Sequence, residues 1–282
     1  MIRFGPAGNS DSFSAAGLKA SADAPAWLAG FGLNAYEYQC GRGVNIGQAT
    51  ARKIGEAAQT HGVALSLHTP YYINLASGET ERQEKNIGYL LQSCEAAAAM
   101  GAQRMVVHCG GVGKQSRDKA MQHSRENVRL ALDALEQARF TQTLCLETMG
   151  KQSVIGSAEE VCELTALDDR LLPCIDFGHL NARTGGHCSS YEEFAAVLDL
   201  FENGIGTNRA RRLHIHFSKI EYSSKGEVRH LTFADERYGP DFAPLARLLR
   251  ERDYEPTIIC ESAGTQAEDA LTMKKLYEGV SL

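Results

Sequence analysis

Short apolar segments alternate with longer amphipathic stretches along the 282-residue chain, and this alternation limits the possible folds more than any other feature. The apolar segments lie at residues 2–8, 33–39, 64–70, 104–110, 143–150, 172–179, 211–220 and 257–264. In the amphipathic stretches, such as 45–62, 124–140 and 240–254, apolar residues recur three and four positions apart, which predicts helices with one buried face. Eight strands alternating with helices predict a single (β/α)8 barrel domain over residues 1–282, with a doubly wound open sheet as the alternative.

The composition limits the cellular location and the partners that we expect for the protein. Hydrophobic residues make up 43% of the chain and charged residues 23%, and no apolar run nears the ~20 residues of a membrane span. The N-terminus has no apolar stretch typical of a signal peptide, and the eight cysteines form no C-x-x-C pair. We therefore expect reduced, buried thiols in a cytoplasmic protein, without membrane contact and monomeric. The net charge of −6 argues weakly against a surface coated with nucleic acid, although bound cations would add positive charge.

Titratable side chains end most of the predicted strands. Side chains alternate between the two faces of a strand, and here one face is bulky and apolar while the other is small or polar. The polar face of strands three to eight ends in His68, His108, Glu147, Asp176, His214 and Glu261, in that order. His179 follows Asp176 by three residues. In a barrel, the C-terminal strand ends converge on one mouth, where active sites of this fold lie.

The predicted ring of side chains indicates a metal centre. Carboxylates placed together without a partner repel one another and raise each other's pKa, whereas one or more divalent cations would remove the repulsion. Neutral imidazoles and carboxylates are ligands that suit Zn, Mn or Fe. Any one of these residues alone could be an ordinary hydrogen-bonding group at a strand end, but their alignment favours a shared site.

Several motifs give the chain a resemblance to a known family. These are "HTPYYINLAS", "VVHCGG", "LETMGKQSVIGS", "CIDFGHLNA", "HIHFSK", "GEVRH" and "CESAG", in this order. The chain resembles, over nearly its whole length, the endonuclease IV family of apurinic/apyrimidinic endonucleases, within the xylose-isomerase-like barrels. The resemblance implies a (β/α)8 barrel with up to three zinc ions, one of which could be replaced by Mn²⁺ or Fe²⁺. It also implies hydrolysis of the DNA phosphodiester 5′ to an abasic site.

The resemblance also implies roles for individual residues. His68 and His108 would hold one zinc, and Glu147, the central catalytic residue, would bridge it to a second. Asp176, His214 and Glu261 would complete the second site, and His179 would bind the third zinc. Bridged metals can generate the nucleophile and neutralise the phosphate, so no separate general base is required.

Two segments depart from the family pattern. The family supplies an Asp and a His two residues apart to the third zinc, whereas here Glu227 and His230 are three apart, with Val228 between them. We expect this pair to be ligands, with a surface ion pair as the alternative. In "HIHFSK", we expect His214 to be the ligand and His216 to support it or contact phosphate, although the reverse assignment stays open.

Predicted loops at the barrel mouth carry candidates for DNA contact. Tyr71 matches an aromatic residue that the family inserts into DNA, and Arg42 and Gln39 lie in the loop after strand two. Lys114 is a candidate phosphate contact. Further basic residues on the predicted loops are Lys151, Arg183, Lys219, Lys225 and Arg229.

Two other classes of function compete with the endonuclease. A sugar isomerase or epimerase on the same barrel would use Glu147, Asp176, His214 and Glu261 around a single metal, but would leave His68, His108 and the Glu227–His230 pair unexplained. A non-catalytic binding barrel would have no need of the ligand ring.

Overall fold

A computed structural model describes residues 1–280, in which eight parallel strands form one sheet. In chain order these strands are β1 (Arg3–Pro6), β2 (Ala35–Gln39), β3 (Ala64–His68), β4 (Arg104–His108), β5 (Thr143–Glu147), β6 (Leu171–Asp176), β7 (His214–Phe217) and β10 (Thr257–Cys260). Their order in the sheet is β1-β10-β7-β6-β5-β4-β3-β2. Two further strands, β8 (Ile220–Ser223) and β9 (Gly226–His230), form an antiparallel hairpin after β7.

Contacts between the two terminal strands of the order, β1 and β2, bring the sheet close to full closure. Ala7 and Glu37 form a parallel bridge, and the Gly8 amide donates to the Glu37 carbonyl at 2.9 Å. Gly5 is required at this junction, since a Cβ there would lie 1.8 Å from the Ala35 carbonyl oxygen. The structure thus confirms the predicted barrel and excludes the open sheet.

Helices cover the outside of the barrel. They are α1 (Asp11–Ala15), α2 (Ala24–Gly30), α3 (Gln48–His61), α4 (Thr80–Met100), α5 (Arg117–Gln137), α6 (Ala158–Thr165), α7 (Phe177–Arg183), α8 (Tyr191–Ile205), α9 (Thr207–Ala210), α10 (Ala243–Glu251) and α11 (Gln266–Glu278). Within residues 1–280, none of them is long and apolar enough to cross a membrane.

Local signals account for the helix ends. The predicted capping box is present, because the Ser157 hydroxyl accepts from the Glu160 amide and the Glu160 side chain accepts from the Ser157 amide. Helix α5 begins seven residues before the predicted 124, since Ser116 caps its first turn. Helix α10 is shorter than predicted and ends just before Asp253, whose φ of 54° is left-handed.

The two faces of the strands bury different side chains, as the alternation predicts. Leu67, Leu146 and Ile215 belong to the main apolar core beneath the helices. Small residues such as Cys145 and Cys174 form a separate cluster. All eight cysteines are buried and free, as expected. The inward faces are therefore small along the strands and polar at their C-terminal ends, which leaves room for a site at the mouth.

Candidate metal centre

A cavity of about 810 Å³ opens at the C-terminal ends of the barrel strands. Predicted site residues in its lining are His68, Tyr71, His108, Glu147, His179, Glu227, His230 and Glu261. The strand ends and the β8–β9 hairpin thus bring together side chains that lie far apart in the sequence, as the predicted mouth requires.

Glu147 lies at the centre of the side chains that surround this cavity. Its Oε2 atom is 3.3 Å from His68 Nε2 and 3.0 Å from His108 Nε2. Its Oε1 atom is 3.4 Å from His179 Nδ1 and 3.2 Å from His216 Nδ1. Burial alone would raise the pKa of Glu147, but His108 and the other imidazoles hold it well below its usual value. Glu147 is therefore a buried carboxylate among four imidazoles.

Four groups of potential ligands have donor atoms within 4.8 Å of one another, and three of them include residues that line the cavity. The first group is His68, His108 and Glu147. The second is Glu147, Asp176, His216 and Glu261, so Glu147 belongs to both. The third is His179, Glu227 and His230. Each group has the donor set of a divalent-metal site.

Hydrogen bonds on the far side of the imidazoles test whether cations fit here. His68 Nδ1 lies 2.8 Å from the Thr69 carbonyl, which only accepts, so Nδ1 carries the proton. In a neutral ring, Nε2 then has a lone pair that faces Glu147 Oε2, another acceptor. His179 repeats this arrangement, since Nδ1 lies 3.0 Å from the Thr148 carbonyl and Nε2 lies 3.4 Å from Glu227 Oε2.

Two acceptors at this distance repel unless positive charge lies between them. A second proton on each ring can supply that charge. Accordingly, the pKa of His68 and that of His179 are raised, because the neighbouring carboxylates outweigh the lowering effect of burial. A metal ion can supply the same charge and would accept both lone pairs. The first and third groups therefore fit cations by their hydrogen bonding as well as by their donor types.

The surroundings of Asp176 indicate that a cation also fits the second group. It ends β6 and caps α7, where its Oδ1 accepts from the His179 amide at 2.7 Å. Its Oδ2 atom is buried, and within residues 1–280 it accepts no hydrogen bond, although His179 Nδ1 lies 3.3 Å away. A buried carboxylate oxygen without a donor is costly unless a cation is its partner.

A β-bulge in the hairpin explains how Glu227 and His230 reach one group despite their spacing. Tyr222 pairs with Glu227 and Glu221 pairs with Arg229, so Val228 is an extra residue. In a regular strand, residues three apart face opposite sides, but one bulged residue restores the same side. Val228 itself is 51% exposed. Glu227 and His230 therefore point to the same side of the strand, as two residues with one residue between them do in a regular strand.

Close packing holds this hairpin over the mouth. The Glu227 amide donates to the Gly150 carbonyl at 3.2 Å. At Gly226, where φ is 92°, an added Cβ would lie 2.1 Å from that same oxygen. The Ser218 hydroxyl is 2.8 Å from His230 Nδ1, which leaves Nε2 to face the cavity. The glycines permit the approach that brings the third group together.

The structure corrects the expected order of the two histidines on β7. His216, not His214, lies with Glu147, Asp176 and Glu261. His214 is two residues deeper in the barrel, where its Nε2 is 2.9 Å from Glu37 Oε2. Position along the strand accounts for this placement, because the mouth lies beyond the C-terminal end of β7 and His216 is nearer to that end.

The sequence reasoning missed Glu37, a fully buried carboxylate on β2 that contacts both histidines. A signal was present, because the strand alternates Tyr36 and Tyr38 with Ala35, Glu37 and Gln39. A charged residue on the inward face of a core strand needs buried partners.

Of the DNA-contact candidates, Tyr71 lies at the cavity. Its ring stacks on His108, with centroids 5.5 Å apart and 23° between planes, and it is 54% exposed. Gln39 also lines the cavity, and its Oε1 is 3.5 Å from the Tyr71 hydroxyl. Arg42 and Lys114 are exposed on loops outside the cavity lining.

The other basic loop residues differ in how they are held. Lys151 is exposed and lines the cavity. The Arg183 guanidinium instead donates to the carbonyls of Met149, Lys151 and Val154, so its structural role is to tie the loop after β5. Lys219 and Arg229 form ion pairs with Asp241 and Glu221. Among the candidates for phosphate contact, Lys151 therefore has the most suitable position.

Comparison with known sequences places the chain in a family whose fold is the one described above. The sequence pattern of the family described as "Xylose isomerase-like TIM barrel" matches residues 25–276. The chain belongs to this family.

Individual proteins are also similar to the chain in sequence. An uncharacterized protein of Methanocaldococcus jannaschii is 31% identical over 242 residues, which cover 86% of each chain. A probable endonuclease 4 of Staphylococcus epidermidis is 31% identical over 186 residues, covering 62% of this chain and 59% of that protein. The chain thus matches less than two thirds of the length of this endonuclease relative.

Solved structures are similar in fold. A D-tagatose 3-epimerase-like protein superimposes with a TM-score of 0.72 at 18% identity, covering 98% of this chain and 96% of the other. Endonuclease IV from Thermus thermophilus gives a TM-score of 0.67 at 20% identity, covering 99% and 100%. The fold therefore accommodates both epimerases and endonucleases, and the side chains at the mouth have to discriminate between them.

Proposed function

We propose that the protein is a metal-dependent endonuclease, similar to endonuclease IV, that hydrolyses the DNA phosphodiester 5′ to an abasic site. The carrying observation is the set of three adjacent ligand groups at one cavity, two of which share Glu147. Endonuclease 4 relatives of similar sequence support the proposal. The three groups would hold up to three zinc ions, with Mn²⁺ or Fe²⁺ possible at one site.

Each ligand group has a distinct part in this function. His68, His108 and Glu147 would hold one metal, and Glu147, Asp176, His216 and Glu261 would hold a second. His179, Glu227 and His230 would hold the third. Bound metals supply charge neutralisation for the phosphate and a nucleophile at neutral pH, so the function requires no separate general base. The protein's own side chains fix the spacing of the three positions.

The surroundings of the cavity suit a damaged DNA strand. Tyr71 offers an exposed aromatic face at the rim, on which a base beside the abasic gap could stack. Lys151 lines the same cavity and could contact a phosphate. The formal net charge of −6 omits the cations that the site would hold, and those cations would make the mouth attractive to the DNA backbone.

A second candidate is a single-metal sugar isomerase or epimerase. The group of Glu147, Asp176, His216 and Glu261 favours it, because this set alone would complete one metal site. It gives no role to His68 with His108, or to the hairpin pair Glu227 and His230. The endonuclease uses all three groups and is therefore the better supported function.

One experiment separates the two candidates. The zinc-loaded protein is incubated with a duplex oligonucleotide containing a single tetrahydrofuran abasic analogue, and its bound metal is counted by elemental analysis. We expect incision 5′ to the analogue and up to three zinc ions per chain. One metal per chain, together with turnover of a ketose and no incision, would establish the isomerase instead.

A further inference from the structure

A buried acidic network lies directly beneath the proposed metal centre, around Glu37 on β2. Glu37 is 0% exposed, and three donors fix its carboxylate. Ser66 Oγ donates to Oε2 at 2.8 Å, His214 Nε2 lies 2.9 Å from the same oxygen, and Gln39 Nε2 donates to Oε1 at 3.1 Å. Such an arrangement costs desolvation, which the surrounding donors offset.

The remaining contact of this carboxylate is with the proposed ligand on β7. Glu37 Oε1 lies 3.0 Å from His216 Nε2, and within residues 1–280 this buried nitrogen makes no hydrogen bond, so Glu37 is the acceptor within its reach. The opposite ring nitrogen, Nδ1, lies 3.2 Å from Glu147 and 3.4 Å from Glu261. Nε2 of the imidazole thus faces Glu37, and Nδ1 faces the proposed metal centre.

With a metal ion held on the Nδ1 side, the ring proton has to be on Nε2. An ionised carboxylate only accepts, so Glu37 favours a proton on Nε2 and leaves the Nδ1 lone pair directed at the cluster. We propose that Glu37 is a positioning residue that holds His216 in its metal-binding tautomer. This inference rests on the proposed function, in which His216 is a ligand.

His214 has a supporting part in the same network. Its Nε2 lies 2.9 Å from Glu37 Oε2, and because a carboxylate oxygen accepts, Nε2–H donates to it. It thereby helps to orient the carboxylate towards His216. Hydrogen bonds from Ser66, His214 and Gln39 favour the ionised form of Glu37.

One alternative use of these residues is an inner cation site. Cys174, His214 and His216 have donor atoms close enough to hold a metal. The outward-facing His216 is favoured because its Nδ1 faces two carboxylates, Glu147 and Glu261. The inner site is therefore treated as an outcome of the test.

Glu37→Gln is the informative variant, because it keeps the shape and removes the charge. The amide offers one acceptor oxygen for two imidazole donors, so its NH₂ group can face His216 and shift the ring proton to Nδ1. We expect Co²⁺ affinity at this site to fall by roughly 10–100-fold, as for other groups that orient metal-binding histidines. Ring ¹⁵N spectra of zinc-loaded protein should show His216 protonated at Nε2 in the parent and losing this preference in the variant.

Two further variants separate positioning from packing. Glu37→Asp keeps an acceptor-only group and should recover part of the affinity and the parent tautomer. Cys145→Ala truncates another buried residue of the barrel interior, whose thiol donates to the Thr143 carbonyl and belongs to none of the ligand groups, and should leave Co²⁺ affinity unchanged.

The outcomes are distinguishable. Unchanged Co²⁺ affinity and an unchanged His216 tautomer in Glu37→Gln would overturn the positioning role. A thiolate-to-cobalt charge-transfer band that disappears in Cys174→Ala would overturn it in favour of the inner site. If the parent binds no divalent metal, the proposed function fails, while the tautomer of metal-free protein at alkaline pH still decides the role of Glu37.

Discussion

The barrel strands and the β8–β9 hairpin supply side chains to the same cavity by different means. His68, Glu147 and Asp176 lie on strands paired on both sides and are at most 2% exposed. Glu227 and His230 lie on β9, whose neighbour in the sheet is β8 alone apart from one bridge between Gly226 and Lys151, and their side chains are 14% and 27% exposed. Side chains on the strands are therefore more rigidly preorganised, and we expect the hairpin group to bind its metal less tightly.

The largest effect is expected from Glu147→Gln, which alters both strand groups at once. Loss of the shared carboxylate should remove their metals and lower incision by about 10³-fold, equivalent to roughly 4 kcal/mol of transition-state stabilisation. Elemental analysis and single-turnover incision measure the two effects, and circular dichroism checks the fold. A variant with its full metal content would show that Glu147 bridges nothing.

Changes at the β-bulge test whether the hairpin residues Glu227 and His230 bind a metal. Insertion of one alanine after Val228 should move His230 away from Glu227 and cost one metal per chain. Deletion of Val228 should remove the bulge, keep both side chains on one face and retain that metal. Metal is counted after dialysis against a weak chelator.

A matched substitution controls for changes at this position. Val228→Ala preserves the chain length and should keep all metals, since the side chain is exposed. Should the insertion variant bind as much metal as the parent, the Glu227–His230 pair would have no part in the site.

The strand half of the site could be predicted from the sequence, because period-two alternation places residues on a face without knowledge of distant contacts. His68, His108, Glu147 and Asp176 were located in this way, and the barrel itself followed from the same pattern. The choice between His214 and His216 could not be made, since both share one face and only the depth of the mouth along β7 separates them.

The hairpin half depended on features that local patterns do not contain. The direction of His230 relative to Glu227 is set by a bulge, and the bulge appears only when β8 and β9 are paired. Glu37 was missed because its partners, His214 and His216, are about 180 residues away in the sequence. Interactions of this kind are consequences of closure of the barrel.

Lowering the pH should weaken metal binding, and it should do so to different extents in the strand groups and in the hairpin group. Neighbouring carboxylates raise the pKa of His68 and of His179 above the ordinary imidazole value despite their burial. Raised values mean that protons persist on these rings above about pH 6.5 and must leave before a metal binds. Metal affinity should therefore rise with pH, by about tenfold per unit for each proton released.

The hairpin metal should be lost first as the pH falls, if its site is the weaker one. Isothermal titration with Zn²⁺ in buffers of different ionisation enthalpy measures the protons released, and elemental analysis at each pH measures occupancy. Simultaneous loss of all metals would contradict the proposed ranking of strand and hairpin groups.

The smallest effect is expected from Tyr71, which extends the comparison from metal binding to substrate binding. Its ring leans on His108 but is more than half exposed, so one face is available to a DNA base. Base–aromatic stacking contributes about 1–3 kcal/mol, and we expect Tyr71→Ala to weaken binding to an abasic duplex by the lower value, a factor of about five.

Tyr71→Phe keeps the ring and loses only the 3.5 Å contact to Gln39, so it should bind DNA as the parent does. Metal content and melting temperature should hardly change in either variant, because Tyr71 supplies no ligand and lies on a loop. A melting temperature lowered by several degrees with unaltered DNA affinity would instead mean that Tyr71 packs against His108 and makes no contact with the substrate.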